Sequence, residues 1–319
     1  MDNQPFAGSK KTVSDAPQIQ SYRPYRGRLL IPAQLKELNK LRPGRMMRDT
    51  ALLRSQILLA WAAVAAIPVI GTRFYALFII GHDGLHRRLF RDRRRNDLWN
   101  DFFILGPVGA ITRLNRLNHM SHHDTLALPH DPDRYKYVAD DKLTFSTYLF
   151  SLTGLRYVLR ALRHVFVPRP AKEQRSAYTL RDLAILLGWQ ALLAGSLTFF
   201  IGWWAYPLLW LLPVYIFAFT ADIVRVFLEH SYPETDAVSD RRPRLITYTS
   251  NAIERRLFAP MNMNFHAAHH LWPSIPYYNL PDADALIRAL PAAQEGLEWR
   301  PSYIGQLRAF GRWRRVGGS

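Results

Sequence analysis

Charge is absent from two stretches of this chain and dense in most of the rest. The first stretch, "SQILLAWAAVAAIPVIGT", covers residues 55–72 without a charged side chain; Arg73 interrupts it and "FYALFIIG" follows. The second holds "LAILLGWQALLAGSLTFFI", residues 183–201, and "WWAYPLLWLLPVYIFAFTA", residues 203–221, joined at Gly202. A helix crosses a bilayer with about 20 mostly apolar residues. Three of these pieces meet that length. The fourth reaches it if its helix continues past Gly81 through His82 and His86 toward Phe90. Pro68 and Gly71 predict the turn of a first helical hairpin. Trp203 and Trp204 mark the interfacial turn of a second, whose outgoing arm continues into the polar "DIVRVFLEHSY".

The remaining segments do not span. Residues 1–50 are polar and basic and contain no secretory signal; within them "PAQLKELNKL" predicts a short amphipathic helix. "LWNDFFILGPVGAIT" (98–112) is apolar but too short and broken to cross. "YLFSLTGLRYVLRALRHVFV" (148–167) has apolar and basic faces and predicts a helix lying on an anionic membrane surface. The expected organisation is a basic N-terminal segment over 1–49, a transmembrane and cap domain over 50–290 and a basic C-terminal tail over 291–319.

The net charge of +17 raises two readings, nucleic-acid binding or the positive-inside bias of a membrane protein. Position decides between them. Residues 87–95, "RRLFRDRRR", contain six arginines, whereas the two short hairpin loops offer essentially Arg73. That asymmetry favours a multi-pass membrane protein whose termini and charged segments are cytoplasmic, with no nucleic-acid partner. The expected fold is all-α: four transmembrane helices in two hairpins beneath a helical cytoplasmic cap.

The chain has no cysteine, so thiolate metal ligands and cysteine-bound clusters are excluded. It has eleven histidines, and nine fall in four places. His82 and His86 form H-x-x-x-H. His119, His122 and His123 form H-x-x-H-H, and so do His266, His269 and His270. His230 stands alone after the last apolar arm. Positions i, i+3 and i+4 share one helix face, so each cluster can aim its rings at one point. All four places lie on the same side of the expected membrane. Nine imidazoles exceed one metal's needs and suit two ions with four or five nitrogens each. Imidazole suits zinc, copper, iron and nickel alike. His130 and His164 read as loop and surface residues.

These three motifs, in this order and spacing, resemble the histidine boxes of the membrane fatty acid desaturase and hydroxylase family. "DPDR" (131–134) and "HHLWPSIPYYNLP" (269–281) are similar to its box-flanking text. "RVFLEH" (225–230) is similar to an Arg-x-x-x-Glu-His stretch of bacterial members, and Val226 stands where some members carry an asparagine. The resemblance covers roughly residues 50–290. It implies that His82, His86, His119, His122, His123, His230, His266, His269 and His270 hold two iron ions that activate O2 and take hydrogen from an unactivated carbon chain. Zinc can displace iron in such nitrogen sites. No fused cytochrome b5 motif is present, so electrons are expected from a separate ferredoxin or cytochrome b5 type protein. The expected substrate is a lipid or fatty-acyl chain and the first-choice reaction is desaturation. Hydroxylation, carotenoid-type oxygenation and, remotely, metal transport are the alternatives. Asp83, Asp124 and Glu229, each beside a ligand in sequence, are candidates to hold ligand rings from behind; Asn262 and Asn264 are candidates to orient the last box.

Overall fold

A computed structural model of the protein describes residues 29–61, 67–126, 128–137, 178–231 and 244–316. The expected surface helix over 148–167, with His164, and the chain through residue 28 lie outside the described residues.

The N-terminal elements are α1 (Pro32–Leu38), α2 (Pro43–Trp61) and α3 (Ile67–Leu85). Helices α2 and α3 pack side by side as the first hairpin. The turn expected at Pro68 and Gly71 is not found there: both residues lie inside α3. Proline at the second helical position gives up an N–H that has no intrahelical partner there. Gly71 has a packing role instead of a turn role. A Cβ there would collide with the Cβ of Phe217 and lie 3.0 Å from the Pro213 carbonyl.

Helix α4 (Arg93–Trp99) starts at Asp92, whose side chain accepts from Arg95 N at 2.6 Å. It widens into a π-helical turn over Asn100–Leu105, and the chain reverses through Gly109 at φ +77°. Residues 98–112 therefore fold back without crossing anything. Helix α5 (Thr112–Thr125) follows; the Asp101 carboxylate accepts from its first N–H, on Thr112, at 2.9 Å.

The second hairpin is α6 (Leu180–Phe200) and α7 (Pro207–His230). Thr179 and Asp182 exchange hydrogen bonds at the start of α6, the reciprocal cap that satisfies free N–H groups. Most of α6 is exposed, and Phe199, Phe200 and Trp203 are 82%, 79% and 78% accessible. An apolar surface of that extent suits lipid and not water. The first half of α7 is π-helical over Pro207–Leu211 and Pro213–Ala218, where Pro213 withholds an N–H from the ordinary ladder. Among the described residues, α6 and α7 have the length and apolar composition of membrane-crossing helices; α2 and α3 do not meet that measure.

The C-terminal part wraps the end of α7. Its order is β1 (Ile246–Tyr248), α8 (Ala252–Phe258), α9 (His266–Leu271), α10 (Leu280–Arg288), β2 (Glu298–Arg300) and α11 (Tyr303–Val316). The strands pair in parallel, Ile246 with Glu298 through Tyr248 with Arg300, a small departure from an all-helical fold. The β-branched and aromatic "ITY" suits a buried strand. Residues expected as a tail include β2 and α11, and Phe310 of α11 packs on Phe227 of α7 with ring centroids 4.7 Å apart.

Gly71→Ala is expected to destabilise the hairpin packing by about 1–3 kcal/mol, the usual range for overpacking. Gly188→Ala on α6, where nothing lies within 4 Å of the added Cβ, is expected to leave the melting temperature unreduced. Thermal unfolding of the two purified variants checks this.

Candidate metal centre

The histidine motifs sit at the ends of helices. His82 lies in the last turn of α3, and His86 lies one residue past its end. The open carbonyls there need partners, and side chains supply them. Asn100 Nδ2 donates to the Gly81 carbonyl at 3.0 Å and Asn96 Nδ2 to that of Gly84 at 2.9 Å. Arg116 donates to the carbonyls of Leu85 at 2.7 Å and Gly84 at 2.9 Å, while its guanidinium pairs with Asp97. A Cβ on Gly84 would overlap the Asn100 amide. The end of α3 is thus locked to α4 and α5 by side chains from both. Helix α5 carries His119, His122 and His123, α9 carries His266, His269 and His270, and His230 is the last residue of α7.

The four places converge into two adjoining groups. In one, His82, His86, His119, His123 and His269 each offer a ring nitrogen within 4.8 Å of the others; in the second, His122, His230 and His270 do the same. His266 joins the second, its Nε2 lying 3.0 Å from that of His230. In the first, His119 Nε2 lies 2.8 Å from His86 Nε2 and 3.0 Å from His123 Nε2, and His269 Nε2 lies 3.1 Å from His123 Nε2. The rings of His123 and His270 stack at 4.2 Å across the boundary. Eight of the nine are buried, and His119 is half-buried.

Three rings have their far nitrogen held. His122 Nδ1 meets both carboxylate oxygens of Asp131 at 3.0 and 3.1 Å. His230 Nδ1 donates to the Arg244 carbonyl at 2.9 Å. His266 Nδ1 lies 3.4 Å from Arg225 Nη1, a donor, and 3.2 Å from Glu229 Oε2. His82 Nδ1 and His269 Nδ1 are buried without a hydrogen-bond partner, which is costly unless something binds there. Loss of hydration, followed by repulsion from neighbouring imidazolium charges, pushes His119, His123, His266, His269 and His270 well below the ordinary imidazole range. They are therefore neutral, the state that ligates metal. The donor set fits two nitrogen-bound transition-metal ions.

The carboxylates anticipated from sequence divide. Glu229 reaches His266 and is itself held by Arg225 Nη1 at 2.8 Å and the Tyr303 hydroxyl at 2.6 Å. Asp83 accepts from the Tyr277 backbone N–H at 2.7 Å, tying the first motif to the segment after the third. Asp124 is exposed on α5. Asn262 and Asn264 donate to the carbonyls of Tyr277 and Tyr248, at 3.1 and 2.8 Å, and so brace the loop before α9 without meeting a ring. Sequence reasoning missed the role of Asp131, although the stretch containing it was noted. Tyr137 donates to the same Asp131 carboxylate. Arg225 was noted only as part of a motif; it is 4% exposed and also holds Tyr75 OH at 2.7 Å and Asp222 at 3.0 Å. His130 is exposed.

A cavity of about 420 Å³ opens beside the rings. Phe74, Phe78, Val108, Val214, Phe219 and Ile223 form its apolar wall, and His82, His119, His122, His230, His266 and His270 line it where it meets the centre. Asn115, Asn118, Asp133 and Lys136 make part of the wall polar.

Residues 59–302 match the description "Fatty acid desaturase". The chain belongs to the fatty acid desaturase family. Its paired histidine groups are consistent with the histidine-box centre of that family. It is similar to an sn-1 acyl-lipid omega-3 desaturase (ferredoxin) of Nostoc sp. (strain 36), 27% identical over 244 residues, covering 68% of this chain and 65% of the relative. The chain thus matches somewhat less than two thirds of that protein's length. It is also similar to a dihydrorhizobitoxine desaturase of Bradyrhizobium elkanii, 26% identical over 322 residues, covering 87% and 88% of the two chains.

Two outcomes follow from this desaturase-type geometry. Asp131→Asn is expected to weaken metal retention by about 10–100-fold, the usual effect of removing a carboxylate behind a ligating ring. Asp124→Asn is expected to retain both ions; metal titration with a competing chelator checks the pair. The second outcome concerns pH. In unfolded chain the histidines protonate near 6.5, while in the fold they resist protonation. The metal-free protein should therefore keep full stability above that pH and lose it progressively as pH falls below, because the unfolded chain then binds more protons. Thermal melts of apo-protein from pH 8 to about pH 5 check the sign.

Proposed function

We propose that this protein is a multi-pass membrane enzyme that desaturates a lipid or fatty-acyl chain, using two iron ions held by His82, His86, His119, His122, His123, His230, His266, His269 and His270. The single observation that carries the reading is an apolar cavity whose wall includes six of those histidines. Such a wall can seat an unreactive carbon chain against a redox centre. When bound, the metal pair would supply the O2 chemistry that takes hydrogen from that chain. The chain's own residues hold the rings. Asp131 and the Arg244 carbonyl keep the proton on Nδ1 of His122 and His230 and present their Nε2 inward, and Phe74, Phe78 and Val214 exclude water from the chain's path. In balance, the substrate gives up two hydrogens, a donor gives two electrons with two protons, and one O2 leaves as two waters.

The donor is a separate protein of ferredoxin type, supported by the name of the Nostoc relative. Four membrane crossings, with the centre and both termini cytoplasmic, are supported by α6 and α7 and by the arginines outside the hairpins. Zinc is the expected contaminant on overproduction.

Expression in a host that makes only saturated lipids, followed by mass spectrometry, tests the reaction. Loss of two hydrogens at one position is the expected result; gain of one oxygen atom would replace the reading by hydroxylation. His230→Ala is expected to abolish turnover and lower occupancy of one metal, while His130→Ala does neither. A His230→Ala protein with full turnover and two bound ions would remove that residue from the centre.

A further inference from the structure

The cavity at the histidines has unlike walls. Phe74, Phe78 and His82 of α3 line it, and steps of four residues put them on one face of that helix. Phe74 precedes His82 by about two turns, or about 12 Å along the axis. Val214, Ala218 and Phe219 of α7 add to the apolar lining. An alkyl chain laid there runs away from the rings among apolar side chains. The lining from α5 is polar. Asn115, Asn118, His119 and His122 all line the cavity, and their steps of three and four residues form one stripe. Asn115 precedes His119, and Asn118 precedes His122, by about one turn, or about 6 Å along the axis. Asp133 and Lys136 also line the cavity and pair at 3.0 Å. They sit beside the same rings: the charge of Lys136 opposes protonation of His119, and the Asp133 N–H donates to Asp131, which holds His122.

These polar groups can take a ligand. Asn115 spends one amide N–H on the Ile111 carbonyl at 2.9 Å, and Asn118 makes no hydrogen bond among the described residues. The polar groups elsewhere in the lining are committed to one another: Arg225 bonds both Tyr75 and Asp222. A methylene segment pressed against the asparagines and the Asp133–Lys136 pair would dry them and offer no hydrogen bond in return, which is costly. A carbonyl group at the same place accepts from them. We propose that the substrate is an amphiphile whose carbonyl end, a carboxylate, ester or amide, accepts from Asn118 and Lys136, and that hydrogen is lost close to that end while the tail lies along Phe74, Phe78 and Val214. The 6 Å step from asparagine to ring corresponds to about five or six carbon–carbon bonds of the substrate. A carbon far down a long acyl chain would instead set methylenes against the asparagines. The inference rests on the desaturation reading of the centre, with the same balance of substrate hydrogens, donor electrons and O2.

The test uses the full-length protein in neutral detergent, with dodecanoic acid, dodecanamide and dodecane as probes. In cobalt-loaded protein, the paramagnetic ions should relax probe protons most strongly within about six bonds of the carbonyl, read by NMR. The acid and the amide should bind about tenfold more tightly than dodecane, the worth of one or two hydrogen bonds. Asn118→Leu and Lys136→Met should each reduce that preference while both metals are retained. Asn118 is exposed, so its variant keeps the test open if Lys136→Met does not fold. Strongest relaxation toward the methyl end, dodecane bound as tightly as the amide, or an unchanged preference in the folded variants would each overturn the proposal. Turnover is assayed on the iron-loaded protein with a ferredoxin-type donor and O2. A new double bond within about six bonds of the carbonyl is expected. A double bond near the methyl end overturns this inference alone and leaves desaturation standing. A carbonyl end held beside cobalt, with no loss of hydrogen in the iron form, supports the inference and counts against the proposed reaction.

Discussion

An imidazole withdrawn from water has two ring nitrogens to satisfy, one donating and one accepting. Where Asp131 or the Arg244 carbonyl meets Nδ1, Nε2 is left with a lone pair turned inward. Several such lone pairs in one buried space repel, and protonating them is opposed by burial and by their neighbours. A metal cation reconciles the arrangement. The rest of the structure can be understood from that requirement: the helices must bring nine rings together and keep them neutral.

The scaffold meets the requirement at helix ends. The terminal carbonyls of α3 are taken up by Asn96, Asn100 and Arg116, so His82 and His86 are held where a helix would otherwise fray. Behind His266 lies a buried chain of contacts. Arg225 bonds Glu229, Tyr75 and Asp222 at once, and Tyr303 at the start of α11 bonds Glu229. In turn Glu254 of α8 receives the Tyr303 N–H at 2.8 Å. A buried ion group of this kind is tolerated when every member is satisfied, and losing one partner exposes the full penalty of the others. The C-terminal helix therefore belongs to the support of the metal centre, although it is distant in sequence.

The apolar surface is organised around the same site. Helix α6 turns bulky residues outward, whereas half of α7's most apolar stretch is buried against its neighbours. The π-helical turns of α7 shift its register before it reaches His230, and Gly71 lets α3 approach it closely. That close approach sets the wall shared by Phe74, Val214 and the histidines.

Much of the site was legible in the chain because its signals are local. The i, i+3, i+4 spacing of histidines survives any detail of packing, and so do the length of an apolar run and the clustering of arginine. The isolated His230 could be connected to the motifs by its place after the last apolar arm, and Glu229 by adjacency. Partition of the rings was not legible. One helical motif, His119, His122 and His123, is divided between two groups, because successive residues on a helix diverge by about a third of a turn and only the packing of α3, α7 and α9 shows what each side faces. Nor was Asp131 separable from other loop acids, since its contact with His122 depends on how the loop folds back. Pro68 and Gly71 read locally as a turn, but one tolerates the first turn of a helix and the other answers to a side chain 146 positions away, Phe217. Periodicity and composition act through neighbours in sequence, whereas tautomers, ring partition and close helix contacts depend on groups that only the folded chain brings together.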